Sequence, residues 1–162
     1  MIHLIVGNTG SGKTTYSNKL KQETGGLIFS IDQWNKALFF PDKKEDDGLD
    51  WFLERIERAE GLMIDLIKQL EASGTDAILD LGLSKATHRK KFRDFATENG
   101  FELKTHFLDI SRETRLERIW RRNKEKGATF EFEVTDENFE FMENWFERPT
   151  EEEMKNGIII TE

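Results

Sequence analysis

The sequence has no cysteine, only two prolines and no long apolar run. The lack of cysteine excludes a disulfide framework and thiolate metal sites, and it agrees with a reducing compartment. The apolar runs are much shorter than the roughly 20 residues that span a bilayer, and Met1 leads into a strand-like segment without a signal-peptide pattern. These features predict a cytoplasmic protein that makes no membrane contact.

The chain also has no excess of basic residues, since its formal net charge is −8. General nucleic-acid binders are more often basic, so the charge disfavours a nucleic-acid partner. The charge is uneven, however: residues 85–126 carry 13 Lys/Arg against 7 Asp/Glu, a net of +6. This segment either attracts an anionic ligand or carries charges that solvate helix surfaces.

Short apolar runs alternate with helical patterns along the 162 residues. We expect five strands, at residues 2–6, 27–31, 77–82, 101–110 and 157–161. Strands that alternate with helices predict an α/β fold with a parallel sheet and helices on both faces. Ligands of such sheets bind beyond the carboxyl ends of the strands. The length predicts a single domain.

Polar residues that precede helical patterns are expected to cap the helices. Asp32 follows the second strand and would cap a short helix. Ser84 would cap the helix after the third strand, and Ser111 the helix after the fourth. Thr135 would cap the last helix.

The stretch GNTGSGKTT, residues 7–15, lies between the first strand and the first helical pattern. It contains G-x-x-x-x-G-K-T, the full phosphate-loop pattern, in the strand–loop–helix context that the pattern requires. Its backbone amides can surround an anion, and the N-terminus of the following helix adds positive charge. Lys13 would reach the β- and γ-phosphates, and the Thr14 hydroxyl would bind Mg²⁺. The predicted phosphate-binding residues are Gly7, Asn8, Thr9, Gly10, Ser11, Gly12, Lys13, Thr14 and Thr15.

The phosphate loop alone does not separate kinases from GTPases or motor ATPases. The guanine signature Asn-Lys-x-Asp is missing, since neither Asn35-Lys36 nor Asn123-Lys124 continues to the Asp. A motor ATPase would be expected to have a longer chain with a second helical domain. These observations disfavour a GTPase and a motor ATPase.

The chain resembles the small P-loop kinases of the nucleotide-kinase-like group, and within it the AAA_33-type ATP-binding proteins. Their relatives include the kinase domain of polynucleotide kinase, gluconate kinase, zeta toxin and chloramphenicol phosphotransferase. The resemblance covers nearly the whole chain: the phosphate loop, Asp32, Asp80, an Arg-rich helix after the fourth strand, and the tract 129–146 that leads into FERPTEEE. It implies a P-loop NTPase three-layer sandwich whose five parallel strands have the order 2-3-1-4-5.

The resemblance also implies ATP and Mg²⁺ as ligands and roles for two acidic residues. Asp80 would lie near Thr14, because the third strand would neighbour the first, and would hold Mg²⁺ through a water. Asp32 would be the base that accepts the proton of an attacking hydroxyl. For both residues, a helix or turn cap is the simpler alternative.

The segment RETRLERIWRRN places Arg115, Arg118 and Arg122 on one face of a helix. Three converging guanidinium groups repel one another, and an anion would relieve the repulsion, although an ordinary amphipathic surface helix has a similar pattern. The resemblance implies a lid over about residues 112–135. Arg122 first and Arg118 second would then stabilise the transferring phosphoryl group.

The sequence says less about the part of the site that would bind the phosphate acceptor. Arg89 either contacts an anionic acceptor or lies on a solvated helix face, and Trp34 either lines an acceptor pocket or belongs to the core. The aromatic tract 129–146 either packs in the core or forms a lid hinge or adenine-stacking wall. Polynucleotide kinases carry a basic residue three positions beyond the catalytic Asp, whereas this chain has Asn35, which disfavours a polynucleotide 5′-hydroxyl acceptor.

Two functions follow from this reading. The first is an ATP-dependent phosphotransferase that moves the γ-phosphate of ATP·Mg to a hydroxyl of a small molecule, such as a nucleoside, nucleotide, sugar or antibiotic. The second is an ATP-binding module that hydrolyses slowly and acts through a partner. Both a monomer and a homodimer are compatible with the sequence.

Overall fold

The computed structural model of the protein describes residues 1–127 and 133–161. Within these residues, one parallel sheet contains strands β1 to β5, numbered along the chain: Ile2–Val6, Leu27–Ser30, Ala77–Asp80, Leu103–Leu108 and Ile158–Ile160. The order across the sheet is β2-β3-β1-β4-β5. This order confirms the predicted P-loop NTPase fold and puts β1, with the phosphate loop after it, at the centre.

Six α-helices, α1 to α6, are described: Lys13–Thr24, Ile31–Trp34, Leu49–Ala72, Ala86–Asn99, Arg112–Glu125 and Asp136–Trp145. The short helix α2 continues as a π-helical turn, Asn35–Phe39, and a 3-10 turn, Phe40–Asp42. None of the helices in the described part of the chain has the length and apolar character needed to cross a membrane.

The central strand β1 is buried on both faces, as a parallel strand between two helical layers requires. Because successive side chains of a strand point to opposite faces, Leu4 joins one apolar cluster, which includes Met63 of α3, and Ile5 joins another, which includes Leu20 of α1. Packing of this kind holds the carboxyl end of β1, where the phosphate loop begins, in a fixed position.

Two of the predicted caps are wrong. Ser30 caps α2, because its Oγ accepts a hydrogen bond from Gln33 N at 3.4 Å and the helix starts before Asp32. Asp32 lies inside the first turn and is exposed, so its carboxylate is not committed to that cap. The Ser84 hydroxyl donates to Gly82 O at 2.7 Å instead of capping α4.

The first amide of α4 is capped from a distant part of the chain. Glu147 Oε2 accepts a hydrogen bond from Ala86 N at 2.8 Å, a contact that no local pattern could reveal. The predicted caps at Ser111 and Thr135 are confirmed, since each hydroxyl accepts a hydrogen bond from the amide three residues later.

Part of the predicted lid and of the aromatic tract, residues 128–132, lies outside the described residues. Beyond it, Phe139 of α6 is buried with Ile119 of α5 and Val134. For this residue of the tract, core packing is the correct alternative. The contact fixes α6 against α5, the helix that borders the phosphate loop.

Candidate active site

A cavity of about 720 Å³ lies beyond the carboxyl ends of the strands, where the topology of the sheet places ligands. All four predicted catalytic residues line it: Lys13, Asp32, Arg118 and Arg122. The predicted metal residues Thr14 and Asp80 also line it, as do the phosphate-loop residues apart from Asn8. The fold therefore brings together predicted site residues that are up to 115 positions apart, from Gly7 to Arg122.

The backbone of the phosphate loop depends on its glycines. Gly10 and Gly12 have φ angles of 82° and 92°, which side-chain-bearing residues rarely adopt. A Cβ on Gly7 would lie 2.5 Å from Ser11 Oγ, and one on Gly10 would lie 2.7 Å from the carbonyl oxygen of Arg115. The loop is thus a close-packed cradle of backbone, the geometry that phosphate binding requires.

Lys13 spans the inside of this cradle. Its Nζ donates hydrogen bonds to Gly7 O at 2.9 Å and to Asn8 O at 3.3 Å. Burial lowers the pKa of Lys13, and the carboxylates of Asp80 and Asp32 offset part of that effect. A partly buried ammonium group whose hydrogen-bond partners among the described residues are two carbonyls is suited to exchange them for phosphate oxygens.

Thr14 and Asp80, the two residues predicted to hold Mg²⁺, lie side by side. Thr14 Oγ1 donates to Asp80 Oδ2 at 3.0 Å. Burial raises the pKa of Asp80, while Lys13 and the Thr14 hydroxyl act in the opposite direction. A buried carboxylate that needs more positive charge, beside a hydroxyl, fits Mg²⁺. Because the described residues contain no cluster of three or more acidic or histidine ligands, the remaining ligands of the ion would be water and phosphate.

Asp32 and Arg122 face the same cavity from α2 and α5. Burial lowers the pKa of Arg122, and the negative charge of Asp32 opposes that shift. Arg122 Nε is buried without a hydrogen-bond partner among the described residues. A buried guanidinium N–H without a hydrogen bond is unfavourable, so this position favours the binding of an anionic ligand beside Arg122.

The other two arginines of the predicted face donate hydrogen bonds to backbone carbonyls of the phosphate loop. Arg118 Nη1 donates to Ser11 O at 3.2 Å, and Arg115 Nη1 donates to Thr9 O at 3.1 Å. Arg115 is buried and forms an ion pair with Glu143 of α6. Glu143 therefore provides the negative charge beside Arg115 that the sequence analysis expected from a bound anion. Sequence reasoning missed this residue.

Residues 2–149 match the AAA_33 family, described as an AAA domain. The chain belongs to the AAA_33 family. No curated protein sequence gives a significant match to it.

Solved structures share the fold of this AAA_33 domain at low sequence identity. Kti12 of Chaetomium thermophilum, in complex with ADP-AlF3, has a TM-score of 0.73 and 14% identity over 99% of this chain and 89% of its own. A sugar kinase of Janibacter sp. HTCC2649 has a TM-score of 0.61 and 19% identity, over 99% and 84%. A gluconokinase of Sinorhizobium meliloti 1021 has a TM-score of 0.58 and 17% identity, over 98% and 81%.

Arg89 of the AAA_33 domain fits neither alternative considered from the sequence. Its side chain is fully buried, with Nε donating to Glu153 Oε1 at 2.6 Å and Nη1 donating to Leu83 O at 3.0 Å. The guanidinium group is therefore neither solvated nor available to an acceptor. For Trp34 the core alternative is correct, because its ring packs against Phe29 with 6.1 Å between the centroids.

A row of polar side chains in the AAA_33 domain escaped sequence reasoning. The Tyr16 hydroxyl lies 2.8 Å from His106 Nδ1, His106 Nε2 lies 2.9 Å from His3 Nδ1, and His3 Nε2 lies 3.0 Å from Asp76 Oδ2. Tyr16 lines the cavity. The two histidines meet because β1 and β4 pair in parallel. The register of that pairing cannot be read from the spacing of residues in the sequence.

Proposed function

We propose that the protein is a P-loop kinase that transfers the γ-phosphate of ATP to a hydroxyl group of a small molecule. The observation that carries this proposal is the arrangement around one cavity of the phosphate loop, Asp32, Asp80 and Arg122. Membership of the AAA_33 family supports it. So does the likeness in fold to proteins named as a sugar kinase and a gluconokinase.

ATP would lie with its phosphates in the loop and its γ-phosphate toward Asp32. The loop amides and Lys13 would bind the phosphate oxygens, with Lys13 leaving the carbonyls of Gly7 and Asn8 that it now contacts. Thr14 and Asp80 would hold Mg²⁺, Asp80 through a water. When bound, the ion neutralises phosphate charge that would otherwise oppose the transfer.

The side chains have separate tasks in the transfer. The oxygen of the acceptor hydroxyl forms a bond to the γ-phosphorus while the bond to the β–γ bridging oxygen breaks and ADP leaves. Asp32 orients the hydroxyl and takes its proton. Arg122, with Arg118 second, stabilises the charge on the transferred group.

The acceptor is a small molecule rather than a nucleic-acid end. Asn35, three positions beyond Asp32, is neutral and buried, so that position supplies no cation for an acceptor phosphate. The net charge of −8 also opposes nucleic acid. A nucleoside or nucleotide, a sugar and an antibiotic are the acceptors to screen.

A second candidate function is an ATP-binding module that hydrolyses ATP slowly and acts through a partner. Two residues considered for the acceptor side, Arg89 and Trp34, are committed to an ion pair and to the core. The described cavity wall thus offers fewer side chains that could bind a phosphate acceptor than residues that could bind the phosphates of ATP. The structure of Kti12 with ADP-AlF3 also has this fold.

A screen of hydroxyl compounds for acceptor-dependent ADP release tests the kinase proposal. In the kinase, Asp32→Asn keeps ATP affinity and loses transfer by roughly a hundredfold or more, since general-base catalysis contributes about 10² to 10⁴. In the module, the same variant changes neither ATP affinity nor slow hydrolysis. Asp42→Asn is the matched control, because Asp42 is exposed in the turn after α2 and is absent from the described cavity wall.

Lys13→Ala tests the nucleotide site that both functions share. Loss of the ammonium group is expected to weaken ATP binding by tenfold or more, about 1.4 kcal/mol. Unchanged affinity in calorimetry with Mg²⁺ would contradict both functions. Full transfer by Asp32→Asn to an identified acceptor would contradict the role of Asp32 alone.

A further inference from the structure

Glu143 lies where α6, α5 and the phosphate loop meet. Its Oε1 accepts a hydrogen bond from Arg115 Nη1 at 2.6 Å, and its Oε2 accepts one from Arg115 Nη2 at 2.8 Å. Asn8 Nδ2 also donates to Oε1. The Glu143 side chain is 19% exposed and that of Arg115 is 7% exposed. Bidentate, charge-assisted hydrogen bonds are strong in such a desolvated place.

Arg112 Nε lies farther from Glu143 Oε2, at 3.9 Å, whereas Arg115 and Asn8 both hold the backbone of Thr9 in the phosphate loop. Arg115 Nη1 donates to Thr9 O at 3.1 Å, and Asn8 Oδ1 accepts from Thr9 N at 2.7 Å. Because the carboxylate of Glu143 can only accept hydrogen bonds, the NH₂ group of Asn8 points toward it and donates to it. The side-chain oxygen of Asn8 then points toward Thr9 and accepts from the Thr9 amide. Glu143 thereby sets the orientation of both side chains that fix this residue.

The phosphate loop needs support on its outer side. When a loop turns amides inward, its carbonyls face outward and require donors where water is excluded. Arg115 supplies such a donor to the carbonyl of Thr9. The backbone of Arg115 also lies against the loop, since a Cβ on Gly10 would be 2.7 Å from the carbonyl oxygen of Arg115. Lys13 supports the loop only from inside, where a phosphate would compete for it.

We propose that Glu143 is a positioning residue which, through Arg115 and Asn8, holds the phosphate loop in the conformation that receives a nucleotide. This inference rests on the proposed nucleotide site. Glu143 is absent from the cavity wall of the described residues, so its effect on a ligand is indirect. It extends the site to α6, an element to which the sequence assigned packing or a lid role and no contact with the loop.

Glu143→Gln keeps the size of the side chain and removes its charge. Arg115 then loses its ionic partner, and the loop no longer has a fixed outer support. We expect the affinity for a non-hydrolysable ATP analogue with Mg²⁺ to fall roughly tenfold or more, measured by calorimetry at a temperature where circular dichroism shows both proteins folded. Affinity within about twofold of wild type in the folded variant would overturn the proposal.

The matched control is Glu140→Gln. Glu140 lies one turn earlier on α6 and also pairs with an arginine of α5, Arg112, but its side chain is 58% exposed. The control is expected to bind the analogue like wild type. If it lost affinity as Glu143→Gln does, a general effect of charge on α6 would replace the specific role of Glu143.

Asn8→Ala keeps the proposal testable if Glu143→Gln does not fold. It removes the link from Glu143 to the Thr9 amide and leaves the Glu143–Arg115 pair in place. The expected loss of affinity is smaller, about threefold to tenfold, the effect of one such hydrogen bond. An unchanged affinity would show that the link through Asn8 does not position the loop.

Amide hydrogen exchange of the nucleotide-free protein separates this inference from the proposed function. The Thr9 amide is expected to be protected in wild type and in Glu140→Gln, and to exchange faster in Glu143→Gln and in Asn8→Ala. Unchanged exchange in Glu143→Gln would overturn the positioning role even if ATP binds. Absence of nucleotide binding in wild type would instead contradict the proposed function.

Discussion

The Thr14 hydroxyl and the Asp80 carboxylate are joined by a hydrogen bond of 3.0 Å, although 66 positions of sequence separate them. The contact exists because β3 pairs directly with β1, so the end of β3 lies beside the helix that follows the phosphate loop. Asp80 is only 7% exposed, which makes its charge costly without a cation. The burial of Asp80 excludes a surface cap, and the proposed Mg²⁺ would supply the missing positive charge.

Asp80→Asn is expected to weaken the Mg²⁺-dependent part of nucleotide binding by roughly tenfold to a hundredfold. This is the usual effect of losing a residue that hydrogen-bonds a ligand of the metal, here the water between Asp80 and the ion. Nucleotide binding without Mg²⁺ should change little. Calorimetry with and without the ion measures both quantities. Asp65→Asn is the control, because the Asp65 side chain is 69% exposed on α3. Equal losses with and without Mg²⁺ would contradict the metal role.

Gly10→Ala is expected to disturb the phosphate loop more than an ordinary glycine substitution. The φ of 82° strains any L-residue, and the new methyl group would lie 2.7 Å from Arg115 O. Strain of about 1–2 kcal/mol adds to overpacking of about 1–3 kcal/mol. We expect a lower melting temperature and weaker ATP binding.

Gly74→Ala is the control for this prediction. Its φ is 70°, but a Cβ there would meet nothing within 4 Å, so the control carries the strain without the collision. If both variants lost equal stability in denaturant unfolding, close packing of the loop against α5 would not explain the requirement for Gly10.

The strands and the phosphate loop could be predicted from the sequence because they depend on local pattern, whereas the order of the strands came from the family resemblance. The phosphate-loop motif fixes Lys13 and Thr14, and the resemblance supplies the strand order that brings Asp80 to them. These predictions need only the identity of a strand and the residue at its end.

Two of the predictions that fail, those on Arg89 and Ser84, depend on partners far along the chain. Arg89 and Ser84 look like a solvated cation and a helix cap until Glu153 and Glu147 are placed beside α4. Glu143 likewise looks like one of many acidic residues, because the register of α6 against α5 leaves no local signal. Three carboxylates of the acidic C-terminal segment thus supply contacts that sequence reasoning could not assign.

Glu153→Gln is expected to lower the free energy of unfolding by about 3 kcal/mol, because it leaves Arg89 buried without an ionic partner. Burial alone would raise the pKa of Glu153, but the hydrogen bond from Arg89 brings it below its usual value. The neighbouring Glu152→Gln is the control, since that side chain is 86% exposed. Urea unfolding measures both, and equal midpoints would contradict the importance of the buried pair.

His106 is expected to make stability depend on pH in a defined window. Burial, with smaller contributions from the charges of His3 and Lys104, lowers the pKa of His106 from 6.5 to about 4. The ring is enclosed in the row from Tyr16 to Asp76, with the Tyr16 hydroxyl 2.8 Å from its Nδ1 and His3 Nδ1 2.9 Å from its Nε2. The neutral form of His106 is therefore the one that the folded protein keeps above about pH 4.

The sign of the effect follows from proton binding. Between pH 6.5 and about 4, the unfolded chain protonates this histidine and the folded chain does not, so the free energy of unfolding falls as the pH falls through this window and is steady above it. Urea unfolding at several pH values is expected to show a smaller slope for His106→Asn than for wild type. Nuclear magnetic resonance measures the pKa directly: titration of the His106 ring near 6.5 in the folded protein would contradict the prediction.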